Sequence, residues 1–433
     1  MIMPGRLKTN RLLPKNLVIE TDLTRMKVLY VSYDGMTDAL GRSQVIPYLE
    51  RLSAKGHKIH VVSCEKKQVD PSEREEVKNI FSQKDIDWSP LDFSTQPPGL
   101  SKIKDVYKIR RKVLALHKNH FFHIVHCRSY VAALASLKLK LDHGVKFVFD
   151  MRGFWANERI EGGMWSKKNP VHQLMYRYFK KKEKQFFSYA DAVISLTHNG
   201  KGLIGEMFGE SIASKTTVIP CCVDTQHFSR HRIEEDQRSL LKKELGIKED
   251  SFVLSYLGSI GTWYMTDEML LFYKKLKARY SNTRFLFISG DSPDFIMEKA
   301  RLHGIDEEDI IISRAPRKLV PLYLSLSAVS IFFIRPVFSK RASSPTKQAE
   351  IMSMGIPLIC NTGVGDTDML FSDEKVGLVL RDFSDEQFNR AVDHMESVLR
   401  LNPGEIREKA IKNFNLDDGV EGYDGIYKSI TQG

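Results

Sequence analysis

The feature that most constrains this chain is a repeated alternation of short apolar runs, each of strand length, with segments long enough to cross back over a sheet. The first run, Lys27 to Ser32 (KVLYVS), is apolar on both faces of the pleat, and the helical stretch from Gln44 to Ala54 behind it stops at Gly56. Further strands are predicted at Ile59 to Ser63, His123 to Cys127, Lys146 to Asp150, Ala192 to Leu196 and Thr217 to Pro220. Helices over Ile103 to Lys118, Tyr130 to Leu141 and Val171 to Tyr189 separate them. Continuous apolar strands joined by helical crossovers imply parallel sheets with right-handed connections.

A second series opens at Phe252 to Leu257. It continues through helix Thr266 to Tyr280, strand Arg284 to Ser289, helix Phe295 to His303, strands Ile310 to Ser313 and Val329 to Ile334, a helix from Pro345, and strands Pro357 to Asn361 and Gly377 to Leu380. The expected fold is α/β, with two Rossmann-like doubly wound parallel-sheet domains, because 433 residues is too long for a single core. Apolar periodicity lapses between Cys221 and Arg238. The expected division is an N-terminal extension (1–25), a first domain (26–225), a second domain (226–415) and a C-terminal helix (416–433) that packs back on the first domain.

Lys and Arg exceed Asp and Glu by 65 − 54 = 11, so the surface should attract anions without saying which. Charge is the only argument for a nucleic-acid partner, and none is expected. The densest basic run, Lys180 to Lys184, is interleaved with Tyr176, Tyr178, Phe179, Phe186 and Phe187. It reads either as a solvated helix face with aromatics turned inward or as a surface for an anionic membrane. Cys64, Cys127, Cys221, Cys222 and Cys360 have no metal-ligand spacing, which disfavours a zinc site. The first 25 residues lack a continuous apolar core, and the apolar stretch around Leu324 to Ile334 is too short to span a bilayer. A cytoplasmic location, with peripheral contact at the inner face of the membrane, is the expectation.

Ligands of open parallel sheets bind outside the carboxyl ends of the strands, so the loops there deserve closest reading. The most informative stretch is Lys340 to Asp366 (KRASSPTKQAEIMSMGIPLICNTGVGD). Ser343 or Ser344 can cap a helix, Pro345 suits its first turn, and Gly355 ends it. Lys347 opposes the helix dipole in the first turn, which makes sense with an anion bound by the free amides and the ammonium group. Glu350 shares a face with Lys347 and Thr346, where its carboxylate can accept from vicinal ribose hydroxyls while Lys347, Lys340 or Arg341 counters phosphate.

This stretch resembles the donor-binding segment of GT-B glycosyltransferases, particularly glycosyltransferase family four, in which Ser-Pro-x-Lys-x-x-Glu precedes a small-residue helix and Gly-x-Pro. The match runs from Ser344 to Cys360. The resemblance implies two Rossmann-like domains facing a cleft. It also implies that Glu350 holds the ribose and Lys347 the diphosphate. One departure is clear: the family commonly has a second glutamate, which would fall at Ala342.

Three other loops complete the expected site. Gly258 and Gly261, in GSIGTWY, let backbone approach a phosphate, and Trp263 or Tyr264 can stack on a base or sugar. Many family members carry Arg and Lys just after this loop. The loop Asp34 to Gln44 looks like the family's glycine-rich acceptor-side loop, with Gly41, Arg42 and Ser43 near the donor phosphate or acceptor. In FDMRGFWANER, Asp150, Arg152, Glu158 and Arg159 crowd charge around Phe154 and Trp155. Asp150, Arg152 and Glu158 are the catalytic candidates, with Asp150 or Glu158 as acceptor base. No His lies in this stretch, so His126 and His198 are alternatives. Gly363 and Asp366 are expected to touch sugar or diphosphate through backbone amides, and the Asp366/Asp368 pair is not expected to hold a metal.

By the resemblance, the reaction moves a sugar with retention from a nucleotide-diphosphate donor to a hydroxyl of a glycan or lipid-linked acceptor, as in surface polysaccharide assembly. The nucleotide sugar is a co-substrate, and no cofactor is expected. An epimerase of the same fold, or a catalytically silent glycan-binding partner subunit, are the competing readings.

Overall fold

A computed structural model of the chain describes residues 25–96 and 100–432, so the predicted extension lies outside the described residues except for Arg25. The first sheet contains β1 (Lys27–Ser32), β2 (Lys58–Glu65), β3 (Ile86–Asp92), β4 (Ile124–Arg128), β5 (Lys146–Asp150), β6 (Ala192–Ser195) and β7 (Thr216–Val218). They are ordered β3-β2-β1-β4-β5-β6-β7 and pair in parallel throughout. The second sheet contains β8 (Phe252–Leu257), β9 (Thr283–Ile288), β10 (Ile310–Ser313), β11 (Val329–Ile331), β12 (Leu358–Asn361) and β13 (Gly377–Leu380). Its order is β10-β9-β8-β11-β12-β13, again all parallel. Both sheets reverse strand order next to their first strand, which opens a crevice at the carboxyl ends of β1 and β4 and of β8 and β11.

Alternation along β1 shows why the chain needs helices on both faces. Leu29 and Val31 join a core with Val62, Val125, Phe147 and Phe149. Val28 and Tyr30 face the opposite way, into a core with Ile59, Val61, Ile124 and Val148. That second face is closed by helix Ile46–Ala54 and by the last helix, Leu416–Gln432, which delivers Val420, Tyr423 and Tyr427. Each such buried side chain contributes about 1.5–3 kcal/mol. Polar ties fix the helix: His57 Nε2 lies 2.9 Å from Asp424 Oδ1, the Tyr427 hydroxyl 2.7 Å from His126 Nδ1, and Arg51 pairs with Asp417 at 2.9 Å.

The two domains are docked by a short segment of the second. Residues Phe338–Ala342 form a 3-10 turn in which Ala342 is fully buried in the first domain's core and Phe338 packs on Phe154 at 5.1 Å. All five cysteines are buried and free. Among the described residues, no helix is long and apolar enough to cross a membrane.

Candidate active site

The helix that carries the donor motif starts at Thr346 and runs to Ser353, so Lys347 does lie in its first turn. Its cap differs from the expectation. Pro345 occupies the N-cap position and no side chain caps the helix. The Ser344 hydroxyl instead accepts the Cys221 N–H at 3.1 Å, tying the second domain to the first. The amides of the first turn therefore keep no side-chain acceptor.

Lys347 is only 7% exposed, yet it has no carboxylate within ion-pair distance among the described residues. Its Nζ donates to the Tyr256 hydroxyl at 2.8 Å and sits 3.6 Å from the Tyr264 ring centre and 4.0 Å from that of Tyr256. Burial holds its pKa well below the lysine value, against the pull of Glu350 and Asp291. Gly258 lies directly over the ammonium group. With φ of +100° it has a backbone shape other residues avoid, and a Cβ there would stand 3.3 Å from Nζ. Gly261 is exposed, with open space around it.

Glu350 is buried and one carboxylate oxygen, Oε1, takes a hydrogen bond from Arg317, whose guanidinium stacks on Phe228 at 4.8 Å. Oε2 makes no hydrogen bond among the described residues. Arg317 carries no motif and was not foreseen in the sequence. Thr346 opens the helix half-buried beside Lys347.

Across the cleft, Lys340 reaches the first domain: its Nζ is 2.9 Å from Glu158 Oε1 and 3.9 Å from the Trp263 ring centre. Gly162 makes room for Trp263, since a Cβ there would lie 2.8 Å from the indole. Lys340, Glu158, Trp263, Gly258 and Lys347 thus come together where the two domains meet.

The family profiles divide along the same two domains. Glycosyltransferase Family 4 matches residues 45–227, and Glycosyl transferases group 1 matches residues 237–414. The chain is a GT-B glycosyltransferase of family four. It is similar to a glycosyltransferase from Rickettsia africae, at 15% identity over 94% of this chain and 99% of that one, with a TM-score of 0.70. The sucrose-phosphate synthase of Thermosynechococcus elongatus matches at 14% identity over 94% and 99%, with a TM-score of 0.71. The Anabaena protein HepE, in complex with UDP-glucose, matches at 12% identity over 94% and 100%, with a TM-score of 0.67. Likeness at these identities speaks for the fold. No curated relative matches the sequence.

Several residues of the transferase stand elsewhere than the loop reading placed them. Asp150 is fully buried beneath the C-terminal helix. Its Oδ2 accepts from the Tyr423 hydroxyl at 3.4 Å and lies 3.7 Å from His126 Nε2 and 3.8 Å from Arg152 Nη1. Burial alone would raise its pKa, but Arg152, His126 and Arg128 together hold it below the carboxylate value. A sealed carboxylate cannot collect a proton from an acceptor, so Asp150 is a positioning residue. What it positions is Arg152, which carries φ of +59° and sets Nη2 3.2 Å from Cys221 Sγ. That left-handed backbone costs about 1–3 kcal/mol and persists because both ends are held. His126 is buried in the same network.

Asp366 faces the wrong partner for a donor ligand. Both its oxygens accept first-domain amides, His198 N–H at 2.7 Å and Asn199 N–H at 3.0 Å, at the start of helix His198–Phe208. Asp368 accepts the Gly363 N–H at 3.2 Å, so that amide is not free for a ligand. Gly363 has φ of +78°. Among the described residues no cluster of three or more His, Cys, Asp or Glu could hold a metal ion.

The acceptor-side loop is moulded by a residue with no motif to announce it. Buried Glu65 accepts the Met36 and Thr37 amides, at 2.8 and 3.1 Å, and the Thr37 hydroxyl at 2.6 Å. Gly41 is a packing glycine inside helix Ala39–Gln44, where a Cβ would meet the Gly35 carbonyl at 2.2 Å. Arg42 pairs with Glu76 at 2.8 Å, and the Ser43 hydroxyl donates to the Ala39 carbonyl at 2.7 Å. Ala342 explains the missing glutamate: it is fully buried against Gly200, whose Cβ would come within 3.1 Å of it, so a carboxylate has no room there.

Proposed function

We propose that this transferase moves a sugar, with retention, from a nucleoside-diphosphate sugar to a hydroxyl of a glycan or lipid-linked acceptor, at the cytoplasmic side of surface polysaccharide assembly. The observation that carries the reading is Lys347, a buried amine with no carboxylate within ion-pair distance among the described residues, set at a helix N-terminus under Gly258. A diphosphate supplies what that site lacks. The first-turn amides and the ammonium group would neutralise the charge that grows on the leaving diphosphate, and they are fixed in place before the reaction begins. Glu350, oriented by Arg317, offers Oε2 to ribose hydroxyls. Trp263, braced by Lys340, presents a ring face to base or sugar.

The chemistry asked of the protein is then mostly positioning, with the departing phosphate taking the acceptor proton and no metal or cofactor entering. The UDP-glucose held by the Anabaena neighbour makes UDP the first donor nucleotide to test. An epimerase would need acids poised on the donor, for which Asp150 and Glu158 are the candidates; sealing Asp150 removes one of them. A silent partner subunit draws support from Ala342 and from the Trp263 and Tyr264 that stand where many family members carry Arg and Lys, and it is separated from an enzyme by turnover.

The test is titration of the full-length protein with UDP, GDP, ADP, CMP and dTDP without divalent metal, followed by Glu350→Ala. One nucleoside diphosphate should raise the unfolding temperature selectively, and Glu350→Ala should weaken its binding at least about tenfold. No stabilisation by any of the five would sink the reading.

A further inference from the structure

A large apolar opening lies outside the cleft, on the first domain. Helices Leu100–His120 and Pro170–Tyr189 and the segment from Trp155 to Trp165 enclose a groove of about 880 Å³. That is toward the upper end of small-molecule sites, which run to roughly 1,000 Å³. Its floor is aromatic, with Trp155 centred 4.6 Å from Phe179 and 5.5 Å from Trp165. Its wall includes Ile103, 66% exposed, and Tyr107, 65% exposed, so the apolar surface there is contiguous rather than scattered.

The two long helices beside the groove are mostly basic. Helix Leu100–His120 carries seven Lys or Arg against the single Asp105, and Pro170–Tyr189 carries five against Glu183, which is fully buried. Two cations are focused on one ring. The Arg159 guanidinium sits 4.6 Å and the Lys102 ammonium 5.9 Å from the Trp155 centre. Neither has a carboxylate within ion-pair distance among the described residues, and Arg159 Nε is buried without a hydrogen-bond partner. Burial first, then the charge of Arg159, lowers the Lys102 pKa. Two cations held on one ring, with neither in an ion pair, repel each other, and an anion beside them would relieve that. Glu158, the residue before Arg159, already reaches Lys340 in the cleft, so this anion position lies between groove and cleft.

We propose that the groove seats the hydrocarbon chain of a phosphate-bearing lipid acceptor, with the phosphate between Lys102 and Arg159 and the sugar-accepting end directed into the cleft. This rests on the transferase reading and names the acceptor class for it. A general anionic membrane surface would need only the basic helices, whereas a concave aromatic floor beside two cations gathered on one ring fits one chain and one phosphate.

Farnesyl phosphate, titrated below its aggregation concentration into the full-length protein and followed by tryptophan quenching, should bind saturably. Farnesol, lacking the phosphate, should bind at least about tenfold more weakly. The double variant Lys102→Gln, Arg159→Gln should lose at least about tenfold for farnesyl phosphate while nucleoside-diphosphate affinity stays unchanged. Lys102→Gln alone, which breaks no hydrogen bond, serves if the double variant fails to fold. Equal binding of farnesol and farnesyl phosphate, or unchanged affinity in the variants, would overturn the proposal. So would capture by phosphatidylserine vesicles with no binding of the monomeric lipid phosphate. Failure of the transferase reading looks different: the wild-type protein would then bind no nucleoside diphosphate.

Discussion

Replacing Lys347 by Met should move two measurements in opposite directions. In the free protein the ammonium group is removed from water and, among the described residues, is compensated by one tyrosine hydroxyl at 2.8 Å and two ring faces. Its lowered pKa says that desolvation outweighs those contacts. A buried polar group that is incompletely compensated costs about 1–3 kcal/mol in mutational series. Methionine fills similar space with a flexible apolar stem, so the variant should be more stable to urea by about 1 kcal/mol after the lost hydrogen bond is subtracted. Nucleotide binding should change the other way. A hydrogen bond to a charged group contributes about 1.5–3 kcal/mol, which is a loss of roughly ten- to a hundredfold in affinity for the nucleoside diphosphate by calorimetry. The pH dependence follows with a definite sign. The bound diphosphate needs the protonated amine, so wild-type affinity should fall as pH rises through the depressed pKa of the free protein, and Lys347→Met should be flat there. A variant that is less stable when free and binds nucleotide normally would make Lys347 a packing residue and refute the donor site.

Asp366→Ala should remove two amide contacts that join the domains. The expected loss is about 0.5–2 kcal/mol of stability, as for a helix cap, with faster hydrogen exchange at residues 198–200 and little change in nucleotide affinity. A tenfold affinity loss without those changes would return Asp366 to the donor site. Stability should also fall on mild acidification. Burial lowers the pKa of His57, His117, His123 and His126, and takes His60 to about 4. A histidine with a depressed folded pKa stays neutral in the native state while the unfolded chain takes up its proton below about pH 6.5. Each extra proton on the unfolded chain steepens the loss by about 1.4 kcal/mol per pH unit. Urea unfolding between pH 7 and pH 5 should therefore show falling stability, and a flat profile would mean that these rings are solvated.

What the sequence disclosed and what it hid divide along one physical line. Strands buried on both faces announce themselves locally, and Lys146–Asp150, Phe252–Leu257, Ile310–Ser313 and Gly377–Leu380 have the predicted bounds. The edge strand Ile86–Asp92 escaped because it is half-exposed and contains Pro90, which only an edge tolerates. Helix Pro71–Gln83 escaped because its face is nearly all polar, with only Val77 and Phe81 buried. The donor helix was legible because its chemistry is contiguous, from Ser344 to Glu350. Contacts made at long range were not. Nothing near Asp150 shows that Tyr423 covers it, and nothing near Asp366 shows that it caps a helix beginning at His198. Both residues are polar groups in strand-end loops, which is where sequence reasoning looks for catalysis. Those same loops also form the surfaces on which two domains of this kind dock. A charged residue in such a loop is therefore a ligand-binding candidate only when its own hydrogen-bonding capacity is left over after docking. By that criterion Asp366 drops out, because both its oxygens are used, and Asp150 drops out, because it is sealed. Lys347, with no carboxylate partner, and Glu350, with one oxygen unclaimed, stay in.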